Sequence, residues 1–343
     1  MLMIIFGAGA SFDSIASIPA PSSFQYRPPL TNQIFDLQAE AWRGQIVDSI
    51  RFIRPLIHEF EEMGATANLE LALEEWQAKA SNQEGVNRKL LALRFYLQRL
   101  FKLCGTNWPI HVHGKTNYLR LLTLVDQWRS KGGKQVALVT FNYDTLLDQA
   151  CHDEIDLDIR NMGHYISRAD FKLFKPHGSV NWSRSVKLTS EGGFIGPWDS
   201  QIVEELIREG AKGMQPTPEY VMNESGHSYL GQHHQIPAIA IPLQSKAYFE
   251  CPIEHQNALS NCLSLVSNVI IIGWRASEKH FLNLWKGKTS QVKQVVVVNG
   301  SRDAGIVAHG SLQGAGFPMV EPLEMGFSDF LQSGHLAQFL ESI

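Results

Sequence analysis

Residues 1–13 read MLMIIFGAGASFD, an apolar run that ends in a loop almost without side chains. The run from Leu2 to Phe6 has the length and composition of a buried strand. The loop Gly7-Ala8-Gly9-Ala10-Ser11 lets a ligand approach the backbone closely. Where such a loop follows a parallel strand and opens a helix, its N–H groups point at a bound anion, usually a pyrophosphate. The opening stretch therefore predicts a nucleotide pocket.

Two later stretches add polar side chains after apolar runs. TFNYD at 140–144 supplies an amide and a carboxylate, and KPHGS at 175–179 supplies an imidazole. Because the carboxyl ends of parallel strands meet at one edge of a sheet, these side chains are expected to converge on the same pocket.

Composition limits the class of protein. At 343 residues, 44% of them hydrophobic, the chain can bury one large core with an insertion, or two cores. The net charge of −4 and the lack of a basic tract argue against direct nucleic-acid binding. The four cysteines form no C-x-x-C pair, so we expect no structural metal and a reduced, cytoplasmic compartment. We expect neither a signal peptide nor a membrane span.

The apolar runs alternate with helical patterns. This alternation predicts an open, doubly wound α/β fold of Rossmann type with a mostly parallel sheet. The expected strands are Met3–Phe6, Gln135–Thr140, Phe171–Lys175, Ala238–Ile241, Val269–Ile272 and Gln294–Val298. The expected helices include Asp144–Ala150, Glu254–Val266 and Ser277–Trp285.

Two regions interrupt this pattern within a single nucleotide-binding domain that spans residues 1–343. A large helical insertion is expected after the first glycine-rich loop, at about 31–130. A polar, irregular excursion with one short helix near Ile202–Arg208 is expected at about 183–235. The apolar spacing of the tail, from Phe327 to Leu340, predicts one closing helix.

The three motifs, in this order and each after a strand-like run, resemble those of the sirtuin superfamily. Sirtuins carry Gly-Ala-Gly-x-Ser, Thr-Gln-Asn-x-Asp and His-Gly, followed by a late glycine loop and an asparagine. Within that superfamily the chain looks like the bacterial sirtuin-like NAD hydrolases of antiphage defence, since Gly273-Trp274 and Ser277–Phe281 resemble their Gly-Tyr-Ser-x-x-Asp-x-His pattern. The resemblance covers the predicted sheet but neither the insertion nor the excursion.

The departures from the sirtuin pattern lie on the peptide side of the pocket. The paired cysteines of the deacylase zinc module are missing, and Ile239–Lys246 replaces the acyl-lysine-binding strand. The Gly-Ile-Pro-Asp-Phe-Arg segment of sirtuins has no clear counterpart, and Phe24–Pro28 resembles it only distantly. Hydrolysis of the dinucleotide therefore fits better than deacylation of a protein.

The resemblance implies roles for individual residues. Asn142 would orient the attacking water or the ribose, His177 would be the base, and Asp144 would support their loop. The nucleotide would be held by Gly7, Ala8, Gly9, Ser11, Gly273 and Asn299. The chemistry agrees, because nicotinamide leaves as a neutral ring without a general acid, and histidine ordinarily titrates near neutral pH.

Each residue also has a purely structural alternative. A lone G-x-G turn is a weak signal. Asn142 and Asp144 could cap the helix that begins nearby, and His177 could be a turn residue with a satisfied ring. Their joint occurrence in order favours the functional interpretation.

We thus expect an NAD+ glycohydrolase that uses NAD+ as substrate, needs no metal, and yields ADP-ribose and nicotinamide. The resemblance implies a toxic effector of antiphage defence, gated by homo-oligomerisation or by a partner such as an ATPase or a nucleic-acid-sensing component. An NAD-dependent protein deacylase and a non-catalytic NAD or ADP-ribose sensor remain the alternatives.

Overall fold

A computed structural model describes residues 1–15, 25–36, 41–63, 69–80, 84–132, 134–186, 199–212, 215–230, 233–242, 249–318 and 320–343. In chain order the elements are β1 (Leu2–Phe6), α1 (Ala8–Phe12), α2 (Ala41–Ser49), α3 (Arg54–Glu62), α4 (Leu69–Ala80), α5 (Glu84–His111), α6 (Asn117–Gly132), β2 (Val136–Thr140), α7 (Leu146–Ile155), α8 (His164–Ser167), β3 (Phe171–Phe174), β4 (Gly178–Val186), α9 (Asp199–Gly210), β5 (Pro216–Met222), β6 (Tyr229–Leu230), β7 (His233–Ile239), α10 (Ile253–Leu263), β8 (Asn268–Ile272), α11 (Lys279–Asn283), β9 (Gln294–Asn299), α12 (Arg302–Gly314), β10 (Val320–Glu324), α13 (Phe327–Gln332) and α14 (His335–Ser342). Short 3-10 turns occur at Thr31–Gln33, Arg51–Ile53 and Thr289–Gln291.

The chain divides into two compact units. The first unit comprises residues 1–28, 104–177 and 245–343, and the second comprises 29–103 and 178–244. The prediction was one domain with two separate interruptions. The structure differs, because residues 29–103 of the first interruption form one unit with residues 178–244, which contain the second, while residues 104–130 belong to the first unit.

The first unit contains a six-stranded parallel sheet in the order β3-β2-β1-β8-β9-β10. Numbered along the sheet's own strands this is 3-2-1-4-5-6, the order of the doubly wound dinucleotide-binding fold. The predicted Rossmann-like, mostly parallel α/β sheet is confirmed. The strand order reverses between β1 and β8, and ligands of such sheets bind outside the carboxyl ends at that point.

The core of this sheet follows from its apolar strands. Every residue of β1, β2 and β8 is buried, as expected for a sheet that is covered by helices on both faces. On one face, side chains such as Met3, Val139 and Ile271 pack with residues of α10 and α12. The sixth strand, β10, escaped the sequence prediction because three of its five residues are exposed and one of them is a proline.

The tail forms two helices where one was expected. Gly334, with φ +81°, separates α13 from α14. The apolar spacing continues across this break, so periodicity alone did not reveal it.

The second unit contains an antiparallel sheet in the order β5-β4-β7-β6. The expected irregular excursion at about 183–235 is therefore largely regular, with strands and the helix α9. Likewise, the predicted strand Ala238–Ile241 belongs in part to β7 of this sheet and not to the parallel one. The sequence was misleading because β5 contains Pro216 and Pro218, and prolines within a run argue against a strand.

The other elements that the structure describes in the second unit are helices and 3-10 turns. Between β1 and β2 the described elements are helices and 3-10 turns, as predicted for about 31–130. However, α6 and the last turns of α5 belong to the first unit, so the helical stretch is not one insertion.

Candidate functional site

The loops that follow β1 and β8 contact each other at glycine residues. A Cβ atom on Gly7 would lie 2.5 Å from the carbonyl oxygen of Gly273, and one on Gly9 would lie 2.9 Å from Gly273 Cα. Gly273 itself has φ +61°, a conformation that L side chains rarely adopt. Only glycine allows these two loops to pack backbone against backbone.

The same contact occupies two amide groups. Gly7 N–H donates to Ile272 O (3.0 Å), and Gly9 N–H donates to Gly273 O (3.1 Å). Both glycines were predicted to hold a pyrophosphate. Their N–H groups donate instead to main-chain carbonyls at the end of β8 and in the loop that follows it. Ala8 is the first residue of α1, where an N–H has no carbonyl within the helix to bind.

Asn142 lies directly beyond the end of β2 and is 8% exposed. Its Nδ2 group donates to Gly7 O (2.9 Å) and lies 2.8 Å from Ser11 Oγ and 3.1 Å from Tyr118 OH. A carbonyl oxygen only accepts, so the Gly7 contact identifies the nitrogen of the amide. The amide nitrogen is fully used, and the carbonyl oxygen Oδ1 is left as the acceptor for a ligand or water.

Ser11 and Tyr118 complete this buried network. Their hydroxyl oxygens are 2.8 Å apart, and the residues are 2% and 0% exposed. Burial, with a smaller contribution from the charge of Asp144, raises the pKa of Tyr118 well above its usual value, so its hydroxyl stays protonated. Ser11 therefore positions Asn142, a role different from the predicted pyrophosphate contact.

Tyr118 was missed by sequence analysis. It belongs to α6, in the region predicted as an insertion, and no local motif marks it. Its ring packs edge-on against Phe6 at the end of β1, with centroids 5.3 Å apart. Only the tertiary structure brings this helix to the glycine loop.

Asp144 begins the turn into α7. Its Oδ1 accepts a hydrogen bond from Leu146 N–H (3.1 Å), so the capping alternative holds for this carboxylate. Burial raises the pKa of Asp144, and the positive charge of Lys175 opposes part of that rise. The side chain of Asn142, by contrast, binds α1 and α6.

His177 occupies the turn after β3 and is 2% exposed. Its ring lies 4.7 Å from that of Phe141 and 6.5 Å from that of Tyr143, centroid to centroid. These two residues flank Asn142 in sequence. The structure thus brings His177 to the segment that carries Asn142, while the amide itself is turned toward α1.

Aromatic residues of the β8–α11 segment surround the same place. The Trp274 ring stacks on Phe141 at 4.9 Å, and the His280 ring stacks on His177 at 6.0 Å. Trp274 Nε1 donates to Glu278 Oε2 at 2.5 Å, which holds the loop that starts at Gly273. These residues shield the imidazole from bulk water.

Asn299 ends β9 and is 5% exposed. Its Nδ2 donates to Trp274 O at 3.4 Å, and Gly273 N–H donates to Val298 O at 2.9 Å. The structure therefore places Asn299 next to the loop of Gly273, and the roles of both residues in binding a nucleotide stay predictions.

The described residues contain no group of three or more His, Cys, Asp or Glu side chains that could hold a metal ion. Cys104, Cys151, Cys251 and Cys262 are free thiols, all buried. Within the described ranges, no helix is both long enough and apolar enough to cross a membrane.

No protein-family model and no curated protein matches the chain. Several solved structures are similar over 99% of it. A Sir2 homologue in complex with NAD has a TM-score of 0.41 and 11% identity, with 90% of that chain covered. A mutant Sir2 homologue in complex with ADP-ribose has a TM-score of 0.44 and 12% identity, with 92% of that chain covered. Sir2Tm bound to a propionylated peptide has a TM-score of 0.41 and 13% identity, with 94% of that chain covered. At scores and identities this low, nothing about the activity of this chain follows from the likeness.

Proposed function

We propose that the protein hydrolyses NAD+ to ADP-ribose and nicotinamide. The supporting observation is the hydrogen bonding of the Asn142 side chain. Hydrogen bonds hold its side-chain amide next to the loop after β1, where the strand order of the parallel sheet reverses. Both N–H groups of the amide have acceptors, and Oδ1 remains to accept a hydrogen bond. An acceptor at this place suits a water molecule or a ribose hydroxyl, both of which donate.

The reaction breaks the bond between ribose C1′ and the nicotinamide nitrogen, which takes the electron pair and becomes neutral. Water oxygen bonds to C1′ and loses one proton. Asn142 Oδ1 would orient that water or the ribose, and His177 would take the proton. The aromatic residues around His177 would keep other water away from the cationic sugar.

The nucleotide would lie across the loops after β1, β8 and β9. Ala8 would offer its N–H to the pyrophosphate, because Gly7, Gly9 and Gly273 donate theirs within the protein and serve to hold the two loops together. Asn299 would bind the adenosine ribose. Asp144 would hold the turn that carries Asn142.

We further propose that the hydrolase is a toxic effector of antiphage defence, since its motifs resemble that branch of the superfamily. A freely active enzyme of this kind would deplete the NAD+ of its host. Activity is therefore expected to depend on assembly of several copies or on a partner protein, such as an ATPase or a nucleic-acid sensor.

The test is nicotinamide release from NAD+ by the purified full chain, measured by mass spectrometry. Asn142→Ala and His177→Ala are each expected to lower the rate at least about 100-fold. Asn161→Ala and His152→Ala, at exposed positions, are the matched controls and should retain full activity.

Three outcomes would contradict the proposal. Undiminished turnover in both site variants would remove the site assignment. Release only in the presence of an acetylated peptide would indicate a deacylase. Binding of ADP-ribose without any release, at every protein concentration and in the presence of candidate partner proteins, would indicate a sensor.

A further inference from the structure

A charged cluster is buried next to the candidate site. Lys175 and Asp148 have fully buried side chains, and Lys175 Nζ lies 2.7 Å from Asp148 Oδ2. Tyr165 OH donates to the other oxygen, Asp148 Oδ1, at 2.8 Å. Both charges are thus removed from water and hydrogen-bonded.

Stability alone does not account for this pair. Removing two charges from water costs several kcal/mol per ion, about as much as their attraction returns. Apolar residues of similar volume often do as well or better at such positions. Lys175 is buried and held in one geometry, so we look for a contribution to the site and not to stability.

The second contact of the ammonium group indicates what that contribution is. Lys175 Nζ also donates to the main-chain carbonyl of Asp144 at 2.7 Å. This carbonyl lies in the turn before α7, outside the helix. Lys175 is two residues before His177, and Asp144 is two residues after Asn142. One ammonium group thus joins the two loops that carry the proposed catalytic residues.

We propose that Lys175 is a positioning residue, whose ammonium group clamps the loop after β2 to the loop after β3 and so sets Asn142 and His177 relative to each other. This inference rests on the proposed function for its effect on catalysis. The clamp itself is independent of that function and can be measured separately.

Lys172, on the strand that directly precedes Lys175, provides a matched control. Its Nζ also donates to two main-chain carbonyls, those of Ile166 and Arg168, each at 2.6 Å. These carbonyls precede β3, away from the loop of Asn142. Lys172→Met removes the same kind of contact without touching the clamp.

The decisive variant is the double substitution Lys175→Met with Asp148→Asn. Lys175→Met alone leaves an unpaired buried carboxylate and is expected to destabilise the fold. The double variant removes both charges, and Asn keeps an acceptor for Tyr165. Its melting temperature should therefore be higher than that of Lys175→Met alone.

If Lys175 positions the loops, the folded double variant should lose about 100-fold in kcat for nicotinamide release, with little change in KM. Hydrogen exchange at the amides of residues 144–147 should become at least about tenfold faster. Lys172→Met should leave kcat and this exchange unchanged.

A folded double variant with unchanged kcat and unchanged exchange would overturn the proposal. If the unmodified protein releases no nicotinamide under any condition, the proposed function fails instead. The exchange at residues 144–147 then decides on the clamp by itself, faster exchange supporting it and equal exchange overturning it.

Discussion

At the residue scale, Gly273 combines two constraints, a left-handed backbone conformation and main-chain atoms in the place of a Cβ atom. It has φ +61°, and a Cβ atom on it would overlap the backbone of Gly9 and Ala10. Gly287 has a similar φ of +74°, but its Cβ direction is open. Substitutions at Gly273 and Gly287 therefore separate the free-energy cost of the left-handed backbone from that of the close approach between the two loops.

We predict that Gly287→Ala lowers the free energy of unfolding by about 1 kcal/mol, the cost of a side chain in the left-handed region. Gly273→Ala should lower it by roughly 3 kcal/mol or more, because the loops of β1 and β8 must also move apart. Urea unfolding of both variants measures the difference. Equal losses would mean that the packing of the two loops is not tight.

Asp144 makes a prediction about pH. Its folded pKa is raised above the ordinary 3.8 by burial, so the native state binds the proton more tightly than the unfolded chain does. The resulting stabilisation is present below pH 3.8 and is lost as the pH rises through the folded pKa. At neutral pH the ionised carboxylate is therefore a net cost.

Asp144→Asn keeps the acceptor for Leu146 N–H and removes that cost. We expect it to raise the melting temperature near neutral pH, with a gain that shrinks toward about pH 4. Calorimetry at both pH values measures this, with the exposed Asp303→Asn as control. A gain that does not depend on pH would contradict the explanation.

At the element scale, α1 is held at both ends. Its first residues pack on β8 through Gly7 and Gly9, and Asp13 follows its last residue. The Asp13 carboxylate accepts hydrogen bonds from Ser328 N–H (2.9 Å) and Ser328 Oγ (2.8 Å) at the start of α13. Helix α13 thus fixes the helix that carries Ser11.

Asp13→Ala should therefore cost about 1.5–3 kcal/mol, as for other hydrogen bonds to a charged group. Because α1 also carries the partner of Asn142, nicotinamide release should fall in the same variant. Asp329→Ala, in the first turn of α13 itself, is the control. A stable variant with full activity would show that α13 does not hold α1.

At the scale of the whole molecule, the proposed control of activity is a property of assembly. If active protein requires several copies, the turnover per chain should rise with protein concentration, together with the mass measured by light scattering. Constant turnover per chain down to concentrations at which only monomers are present would exclude gating by self-association. Activation by a second protein would then be the form of control to examine.

The sequence by itself determined the parallel sheet and the order of its motifs. Continuous apolar runs that are buried in a sheet covered on both faces form β1, β2, β8 and β9, so local pattern and final fold agree for these four strands. The motifs also placed Asn142, His177 and Asp144 at strand ends, where the structure has them.

The tertiary structure alone decided the second unit and the contacts that make the site. Residues 29–103 and 178–244 combine across a long stretch of sequence, and polar antiparallel strands there leave a weak pattern. Tyr118 and Lys175 reach Asn142 and Asp144 through side chains from distant segments. Hydrogen bonds and charge pairs act over a few ångströms in space, whatever the distance along the chain, so no local spacing records them.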